Sequence, residues 1–278
     1  MKKFKSLLLL LLMFIALPFN YASAEEPQYL NISRTDLLES SILAQQQDVS
    51  RISISKYRDN PLATVYSGIG RVMYDKMPAG TGFVIGDYTF LTNSHVVDSP
   101  NATKRFQPMD TTKMTFQPGF QNGKGKYNFH IEKIIFVSGT DIAIVHTKEK
   151  MTSTDVRTMK LATEEEINNM KTGDRIHIAG YPNQNKMDDY NELYWSKGIY
   201  LQSVINTGMP ESTVTSTVAV SRGLTSEGSS GSPVMNSDYK VIGVHSIGFD
   251  RTDVAKYDII GSASISGYNR TVIDKYIK

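Results

Sequence analysis

Short runs of β-branched and aromatic residues, separated by turn residues, dominate the chain beyond Asn60 and constrain its fold more than any other feature. Helical pattern in this region is confined to residues 163–171 and 268–278. Many short strands with few helices predict an all-β sandwich or a pair of barrels and argue against alternating strands and helices. The runs typical of strands are residues 81–85, 88–92, 127–137, 141–147, 175–179, 198–205, 213–220 and 240–246.

The first 24 residues have the composition of a cleaved export signal. Three lysines precede an unbroken apolar run of 11 residues at 7–17, which is too short to cross a bilayer as a helix. A small-x-small cleavage site follows at residues 22–24. We therefore predict a secreted, extracellular protein whose mature chain starts at Glu25 and has no membrane contact after cleavage.

Charge and cysteine content exclude several partners and chemistries. Removing the three lysines of residues 1–24, which hold no acidic residue, leaves 27 of the 30 basic residues against 28 acidic ones, a net charge of −1. This balance gives no argument for nucleic acid or an anionic membrane as a partner. The absence of cysteine from all 278 residues rules out thiol catalysis and cysteine metal sites, and leaves the core alone to hold the fold.

Ahead of the strands, residues 33–55 have a helical pattern. Ser33 can cap a helix, and residues 37, 38, 42 and 45 follow at spacings of three and four. We predict an amphipathic helix that packs on the main body through Leu37, Leu38 and Ile42. A disordered pro-segment is the alternative, because the polar run at 45–48 dilutes the apolar face.

Three segments carry side chains suited to acyl transfer. His95 follows a strand, Asp141 begins one, and Ser230 lies between glycines. A serine hydroxyl is a poor nucleophile at neutral pH and needs a base within hydrogen-bond reach. His95 would take the proton of Ser230, and Asp141 would fix the His95 tautomer and stabilise the imidazolium. Each segment alone is a weak signal, and their conjunction on an exported, strand-rich chain favours a serine protease.

The stretch SEGSSGSP at residues 226–233 contains four serines, of which only Ser230 has glycine both two positions before and directly after it. We therefore predict Ser230 as the nucleophile. Gly228 permits a tight turn, through which the N–H groups of Gly228 and Ser230 would converge on the developing oxyanion.

Four segments, at 81–98, 139–146, 179–182 and 228–246, together resemble the bacterial glutamyl endopeptidase family of chymotrypsin-fold serine proteases, which includes the staphylococcal secreted proteases and exfoliative toxins. The resemblance covers about residues 60–278. The helix-bearing extension before it is similar to that of the exfoliative toxins in particular.

This resemblance implies two antiparallel six-stranded β-barrels with the active site in the cleft between them. His95 and Asp141 would come from the first barrel and Ser230 from the second. The implied organisation is a signal peptide at 1–24, a helical extension at 25–59, barrels at about 60–160 and 161–267, and a C-terminal helix at 268–278.

The resemblance also implies a pocket for glutamate before the scissile bond. Family members use a threonine five positions before the nucleophile and a histidine on the following strand, which are Thr225 and His245 here. Both side chains can donate hydrogen bonds to a carboxylate, and His245 can carry a positive charge. A core histidine on a buried strand is the alternative for His245.

Departures from the family pattern leave the specificity open. Glu227 would lie at the pocket entrance and repel an acidic substrate to an extent set by its exposure, so a preference for basic residues is the alternative. Gly248 stands where the exfoliative toxins have a lysine, and Arg251 lies close by in sequence. Ser229 replaces an asparagine common in relatives, a change that should be tolerated.

We expect a monomeric endopeptidase acting on protein or peptide substrates, with no cofactor and no metal. Histidines 130, 146 and 177 lie inside predicted strands with no carboxylate at ligand spacing. Residues 181–195 are either a specificity loop or an ordinary surface loop with one anchoring Trp. A toxin of narrow specificity is one form of the enzyme.

A binding or adhesion protein that has lost catalysis is the second functional class. In such a protein the loop at Glu227 and Gly228 would rest in a nonproductive conformation.

Overall fold

A computed structural model describes residues 29–100, 104–182, 191–249 and 259–278. The predicted export signal, Arg251 and most of the loop at 181–195 lie outside these ranges. No helix within the described ranges is long and apolar enough to span a membrane.

The described chain is built mainly of strands. The helices are α1 Arg34–Gln45, α2 Ser94–Val97, α3 Glu164–Asn168 and α4 Gly267–Tyr276. The strands are β1 Ser53–Lys56, β2 Ile69–Tyr74, β3 Met77–Val84, β4 Thr89–Thr92, β5 Met114–Pro118, β6 Phe129–Phe136, β7 Ala143–Thr147, β8 Arg175–Gly180, β9 Tyr194–Ile205, β10 Thr217–Arg222, β11 Pro233–Met235, β12 Val241–Gly248 and β13 Ile259–Ser264.

The first barrel closes six antiparallel strands in the order β2-β3-β4-β7-β6-β5. Its interior is filled by apolar side chains, among which the rings of Phe90 and Phe116 stack 4.2 Å apart. Large buried rings contribute strongly to a core of this size. Strands β4 and β7 are adjacent in the barrel, so the chain segments that follow β4 and precede β7 meet at one end.

The second barrel closes through the long strand β9. Residues 194–199 of β9 pair with β8, residues 199–205 pair with β10, and the circuit returns through β13, β12 and β11 to β8. The predicted fold class is therefore confirmed: the protein is all-β, with two antiparallel six-stranded barrels, an N-terminal helix and a C-terminal helix.

The predicted helix at 33–55 is wrong in its second half. Helix α1 begins after the cap Ser33 and ends at Gln45, and the chain then forms the strand β1, which pairs with the first half of β9 from Ser53↔Lys197 to Lys56↔Tyr194. The edge of β9 is open there because β10 pairs with β9 only from Ile199 onward. Strand β1 forms hydrogen bonds with main-chain groups of β9 that would otherwise be unpaired at the edge of the sheet.

The face through which α1 packs agrees with the predicted one only at Leu37. Leu37, Ser40, Ser41 and Ala44 are buried, whereas Leu38 and Ile42 are 51% and 49% exposed. The small buried side chains allow the helix to lie close to the second barrel, where the Gln202 amide donates to Ser40 Oγ at 2.9 Å.

The buried side chain of Arg222 attaches the end of α1 to the second barrel. Its Nη1 donates to the carbonyl oxygens of Ala44 at 3.0 Å and Gln47 at 3.4 Å, and the last turn of α1 has no basic residue of its own.

We expect Arg222→Leu to lower the free energy of unfolding by about 2 kcal/mol, because buried carbonyls lose a charged donor. Urea unfolding measures this loss. Arg175→Leu, at an exposed position on β8, is the control and should change stability by less than about 0.5 kcal/mol; equal losses in both variants would contradict the prediction.

Candidate active site

His95 is held at the end of the first barrel by the segment that follows β4. The Asn93 side-chain amide donates to the Asp141 carbonyl at 2.7 Å, and Ser94 Oγ donates to the Ile142 carbonyl at 3.0 Å. Both bonds attach the short helix α2 to the chain entering β7. The side chains of Asn93 and Ser94, which directly precede His95, thus hold His95 beside Asp141.

The His95 ring and the Asp141 carboxylate form the central contact of the site. His95 Nδ1 lies 2.7 Å from Asp141 Oδ2, and the His95 main-chain N–H donates to Oδ1 at 3.1 Å. An ionised carboxylate only accepts, so Nδ1 carries the proton and Nε2 is left as an acceptor. The Asp141 side chain is fully buried, whereas the His95 side chain is 35% exposed.

Burial and charge oppose each other in this pair. Burial lowers the pKa of His95, but the Asp141 charge and hydrogen bond outweigh it, so the pKa lies above the ordinary 6.5. Burial likewise raises the pKa of Asp141, and the charge and hydrogen bonds of His95 and Ser246 outweigh it, so the carboxyl stays ionised. The pair is therefore arranged to stabilise an imidazolium on His95.

Ser246 connects this pair to Ser230. Its hydroxyl donates to Asp141 Oδ2, and its carbonyl accepts from Ser230 Oγ at 3.4 Å. Ser246 belongs to β12 of the second barrel, so this residue joins side chains from both barrels. Sequence reasoning missed Ser246, because a serine within a strand carries no local signal of such a contact.

The loop before Ser230 forms a type II turn. Ser229 N–H donates to the Ser226 carbonyl at 3.0 Å, Gly228 has φ +86°, and Glu227 has a negative φ. Type I and type II turns differ in the orientation of the central peptide, whose N–H is that of Gly228, and type II requires the positive φ that glycine supplies. The main-chain N–H groups of Gly228 and Ser230 have no acceptor among the described residues.

His245 lies on β12 with its side chain buried to 3% exposure. Burial, and secondarily the charge of His95, lowers the pKa of His245 to about 4, so the ring is neutral at pH 7. Its Nδ1 and the Oγ of its antiparallel partner Ser262 both lack hydrogen-bond partners within the described chain. Directly opposed residues place their Cβ atoms about 5 Å apart, so Ser262 is within reach of the ring.

Thr225 lies in the loop after β10 and is half-buried. It lines a small cavity with Leu224, Ser229 and, from the N-terminal strand β1, Ile54. No hydrogen bond between Thr225 and His245 is present in the part of the chain that the structure describes. Glu227 is exposed and does not line this cavity, and Gly248 at the end of β12 is exposed as well.

The N-terminal extension reaches the site through Tyr29. The Tyr29 ring lies 6.2 Å from the His95 ring and 5.6 Å from Phe106, and its hydroxyl donates to Asp98. Leu30, the next residue, is buried against Phe249 and Gly261. Sequence reasoning did not place Tyr29 near His95, because nothing in its local pattern indicates contact with a residue 66 positions away.

The remaining histidines have structural surroundings. His130 Nδ1 lies 2.8 Å from Glu149 Oε1, His146 Nε2 donates to the Tyr276 carbonyl, and His177 stacks on Tyr239 at 4.9 Å. Within the described ranges no three His, Asp or Glu side chains are grouped to hold a metal ion. Trp195 belongs to β9 and not to the loop predicted at 181–195.

Comparison with known proteins agrees with the two-barrel fold. A sequence model of the trypsin-like peptidase domain matches residues 80–244. A solved structure of a Glu endopeptidase has a TM-score of 0.62 at 20% identity, covering 80% of this chain and 95% of its own. The Rv3671c protease from M. tuberculosis in its active form has a TM-score of 0.53 at 20% identity, covering 74% and 79%. The secreted serine protease VesC from Vibrio cholerae has a TM-score of 0.60 at 14% identity, covering 81% and 48%.

Proposed function

Because the chain belongs to the trypsin-like peptidase family, we propose that it is a serine endopeptidase whose catalytic residues are His95, Asp141 and Ser230. The observation that carries this proposal is the His95–Asp141 hydrogen bond, with Ser246 bonded to both Asp141 and Ser230. The enzyme would act as a monomer on proteins or peptides.

The proposed reaction follows from the protonation states of the site. Nε2 of His95 accepts the Ser230 proton as Oγ attacks the scissile carbonyl carbon. The tetrahedral oxyanion accepts hydrogen bonds from the N–H groups of Gly228 and Ser230, and His95 then gives its proton to the leaving amine. Water activated by His95 hydrolyses the acyl-enzyme and regenerates the Ser230 hydroxyl.

The conformation of the loop argues for catalysis over the alternative of an inactive binding protein. A nonproductive loop would turn the 227–228 peptide over, which corresponds to a type I turn with negative φ at Gly228. The observed φ of +86° is that of the type II turn, in which the Gly228 N–H remains without an intramolecular acceptor in the described chain. This observation supports an oxyanion hole built from Gly228 and Ser230.

We further propose that the enzyme cleaves after glutamate, with Thr225 and His245 binding the carboxylate. A buried imidazole with an unsatisfied nitrogen is a costly group that a charge-assisted hydrogen bond would stabilise. The similarity to a Glu endopeptidase structure supports this choice. Glu227 is exposed, so its repulsion of an acidic substrate is screened by water and salt, which weakens the case for a basic preference.

This specificity gives a pH prediction. His245 is neutral in the free enzyme, with a pKa of about 4, and a bound glutamate carboxylate favours its charged form and raises that pKa. Binding of glutamate then takes up a proton and weakens as the pH rises. The KM for a Glu substrate, divided by the KM for a matched Gln substrate, should therefore rise as the pH increases from about 5.5 to 8. Steady-state kinetics on the paired peptides measures the ratio, from which the titration of His95 cancels.

Cleavage of a mixed peptide library by the protein and its variants tests the assignment. His245→Ala should abolish both the Glu preference and its pH dependence, whereas His130→Ala, at an exposed position on β6, should leave both unchanged. Cleavage after Lys or Arg would refute the glutamate pocket. Selectivity for a single folded protein over all library peptides would indicate a toxin of narrow specificity.

We also propose that the protein is exported. The lysines before the apolar run and the cleavage site at residues 22–24 support secretion and removal of residues 1–24. N-terminal sequencing of protein from the culture medium of an expressing bacterium should yield Glu25, and retention of the whole chain inside the cells would refute this assignment.

A further inference from the structure

Thr81, on β3 of the first barrel, bonds to the Ser230 loop of the second barrel through both its main chain and its side chain. Its N–H donates to the Ser230 carbonyl at 2.8 Å, and its hydroxyl donates to the Gly228 carbonyl at 2.9 Å. The hydroxyl also accepts from the Tyr181 N–H at 3.0 Å. Thr81 is fully buried, so each of these groups depends on protein partners alone.

Of the two carbonyls that Thr81 holds, that of Gly228 lies between the two donors of the oxyanion hole and that of Ser230 lies directly after them. The Gly228 carbonyl belongs to the peptide that links Gly228 to Ser229, which lies between the peptides that carry the Gly228 and Ser230 N–H groups. Anchoring the 228–229 peptide restricts the backbone rotation of Gly228 on one side and of Ser229 on the other. The bond from the Thr81 N–H to the Ser230 carbonyl restrains the loop at its far end.

Thr81 also connects this loop to the segment that carries His95. Its carbonyl accepts from Thr92 Oγ1 at 2.6 Å, and Thr92 ends β4, three residues before His95. The strands β3 and β4 are neighbours in the first barrel. Thr81 therefore sets the position of the Ser230 loop, which belongs to the second barrel, relative to His95, which belongs to the first.

The packing around Thr81 leaves little room for the loop to shift. A Cβ atom added at Gly231 would lie 1.9 Å from the Thr81 carbonyl oxygen, and one added at Gly180 would lie 3.0 Å from the Thr81 hydroxyl. Gly231 has φ +88°, a conformation that suits glycine. The glycine at the position after Ser230 thus permits the loop to approach Thr81.

We propose that Thr81 is a positioning residue, whose hydroxyl holds the turn at 226–229 in the type II conformation and keeps the Gly228 and Ser230 N–H groups aimed at the oxyanion. This inference rests on the proposed peptidase function. In the absence of the hydroxyl, the Gly228 carbonyl and the Tyr181 N–H lose their shared partner. The 227–228 peptide, at the centre of the turn, then gains freedom to flip.

Three substitutions in the full chain test this role. Thr81→Val keeps the shape and removes the hydroxyl, Thr81→Ser keeps the hydroxyl, and Thr147→Val removes a buried hydroxyl on β7 that bonds the Glu149 carbonyl at 2.8 Å. We expect Thr81→Val to lower kcat about 10- to 100-fold with KM within about twofold. Thr81→Ser and Thr147→Val should retain kcat within about threefold.

A peptide aldehyde distinguishes positioning from loss of structure. Its adduct with Ser230 places an oxygen where the oxyanion forms, so Thr81→Val should raise its Ki about as much as it lowers kcat/KM. A noncovalent product peptide should bind all variants equally. Urea unfolding measures the folded fraction to which the rates are normalised.

The outcomes separate this inference from the proposed function. If wild-type protein cleaves peptides and Thr81→Val matches it in kcat and in aldehyde Ki, the positioning role is refuted. A loss of kcat that equals the loss of folded protein, or that Thr147→Val shares, refutes it too. If folded wild-type protein neither cleaves peptides nor reacts with the aldehyde, the failure lies in the proposed function.

Discussion

Ser230→Ala is expected to lower kcat by about 10⁴- to 10⁶-fold and to abolish covalent labelling by a fluorophosphonate. The reason is that Oγ is the proposed attacking atom and no other group can form the acyl-enzyme at that position. Ser230 is partly exposed, and among the described residues its hydroxyl makes a single long bond, to the Ser246 carbonyl at 3.4 Å, so the variant should fold normally. Steady-state kinetics on a peptide substrate measures the loss of kcat, and active-site labelling followed by peptide mapping measures the loss of the label.

The neighbouring serine is the matched control. Ser229 lies in the same loop, and its hydroxyl accepts from the Ser226 N–H at 3.3 Å, away from the His95–Asp141 pair. Ser229→Ala should still be labelled and should keep kcat within about tenfold. Labelling that persists in Ser230→Ala would overturn Ser230 as the nucleophile, whereas folded wild-type protein that is never labelled would overturn the enzyme assignment and favour a binding protein.

Asp141→Asn is expected to reduce kcat by about 10⁴-fold with little change in KM. The amide can present an N–H group to His95 where the carboxylate accepted, which disfavours the tautomer that leaves Nε2 free for the Ser230 proton. The negative charge that stabilises the imidazolium is lost at the same time. Initial rates measured on a peptide substrate up to saturating concentrations give kcat and KM separately.

The same variant should shift the pH profile. Protonated His95 cannot accept a proton, so kcat/KM of the wild type falls as the pH drops through the His95 pKa, which Asp141 holds above 6.5. Without the carboxylate, burial alone acts on the ring and lowers that pKa, so the acidic limb moves to lower pH. Asp155→Asn, which removes an exposed partner of Lys126, should leave the limb in place. An unchanged limb in Asp141→Asn would contradict the assigned pair.

The strands that sequence reasoning missed show where local pattern fails. Strand β2 contains Gly70, and β13 contains Gly261, residues that are typical of turns. In the fold these glycines make close approaches: a Cβ atom at Gly70 would lie 2.6 Å from Pro118, and one at Gly261 would lie 2.8 Å from the Phe249 ring. These glycines are required by contacts between distant parts of the chain. A prediction from neighbouring residues alone therefore ends the strand at a glycine where the fold continues it.

Strand β1 and helix α1 illustrate the same limit at the N-terminus. The cap Ser33 and the first helical turns were predictable, because a cap acts within three residues. The buried face of α1 depends on what Gln202 and Arg222 offer, and β1 forms on the open edge of β9. These partners lie more than 130 positions away, so no local rule identifies them.

The sequence by itself determined the chemistry available: one histidine, one aspartate and one serine in segments that end or begin strands, with glycine where a turn needs positive φ. Tertiary structure decided the contacts, because they join residues 46, 105 and 147 positions apart, as in His95–Asp141, Ser246–Asp141 and Thr81–Gly228. It also decided that His245, which can carry a positive charge, is neutral in the free enzyme, because the cost of desolvation depends on what surrounds the ring.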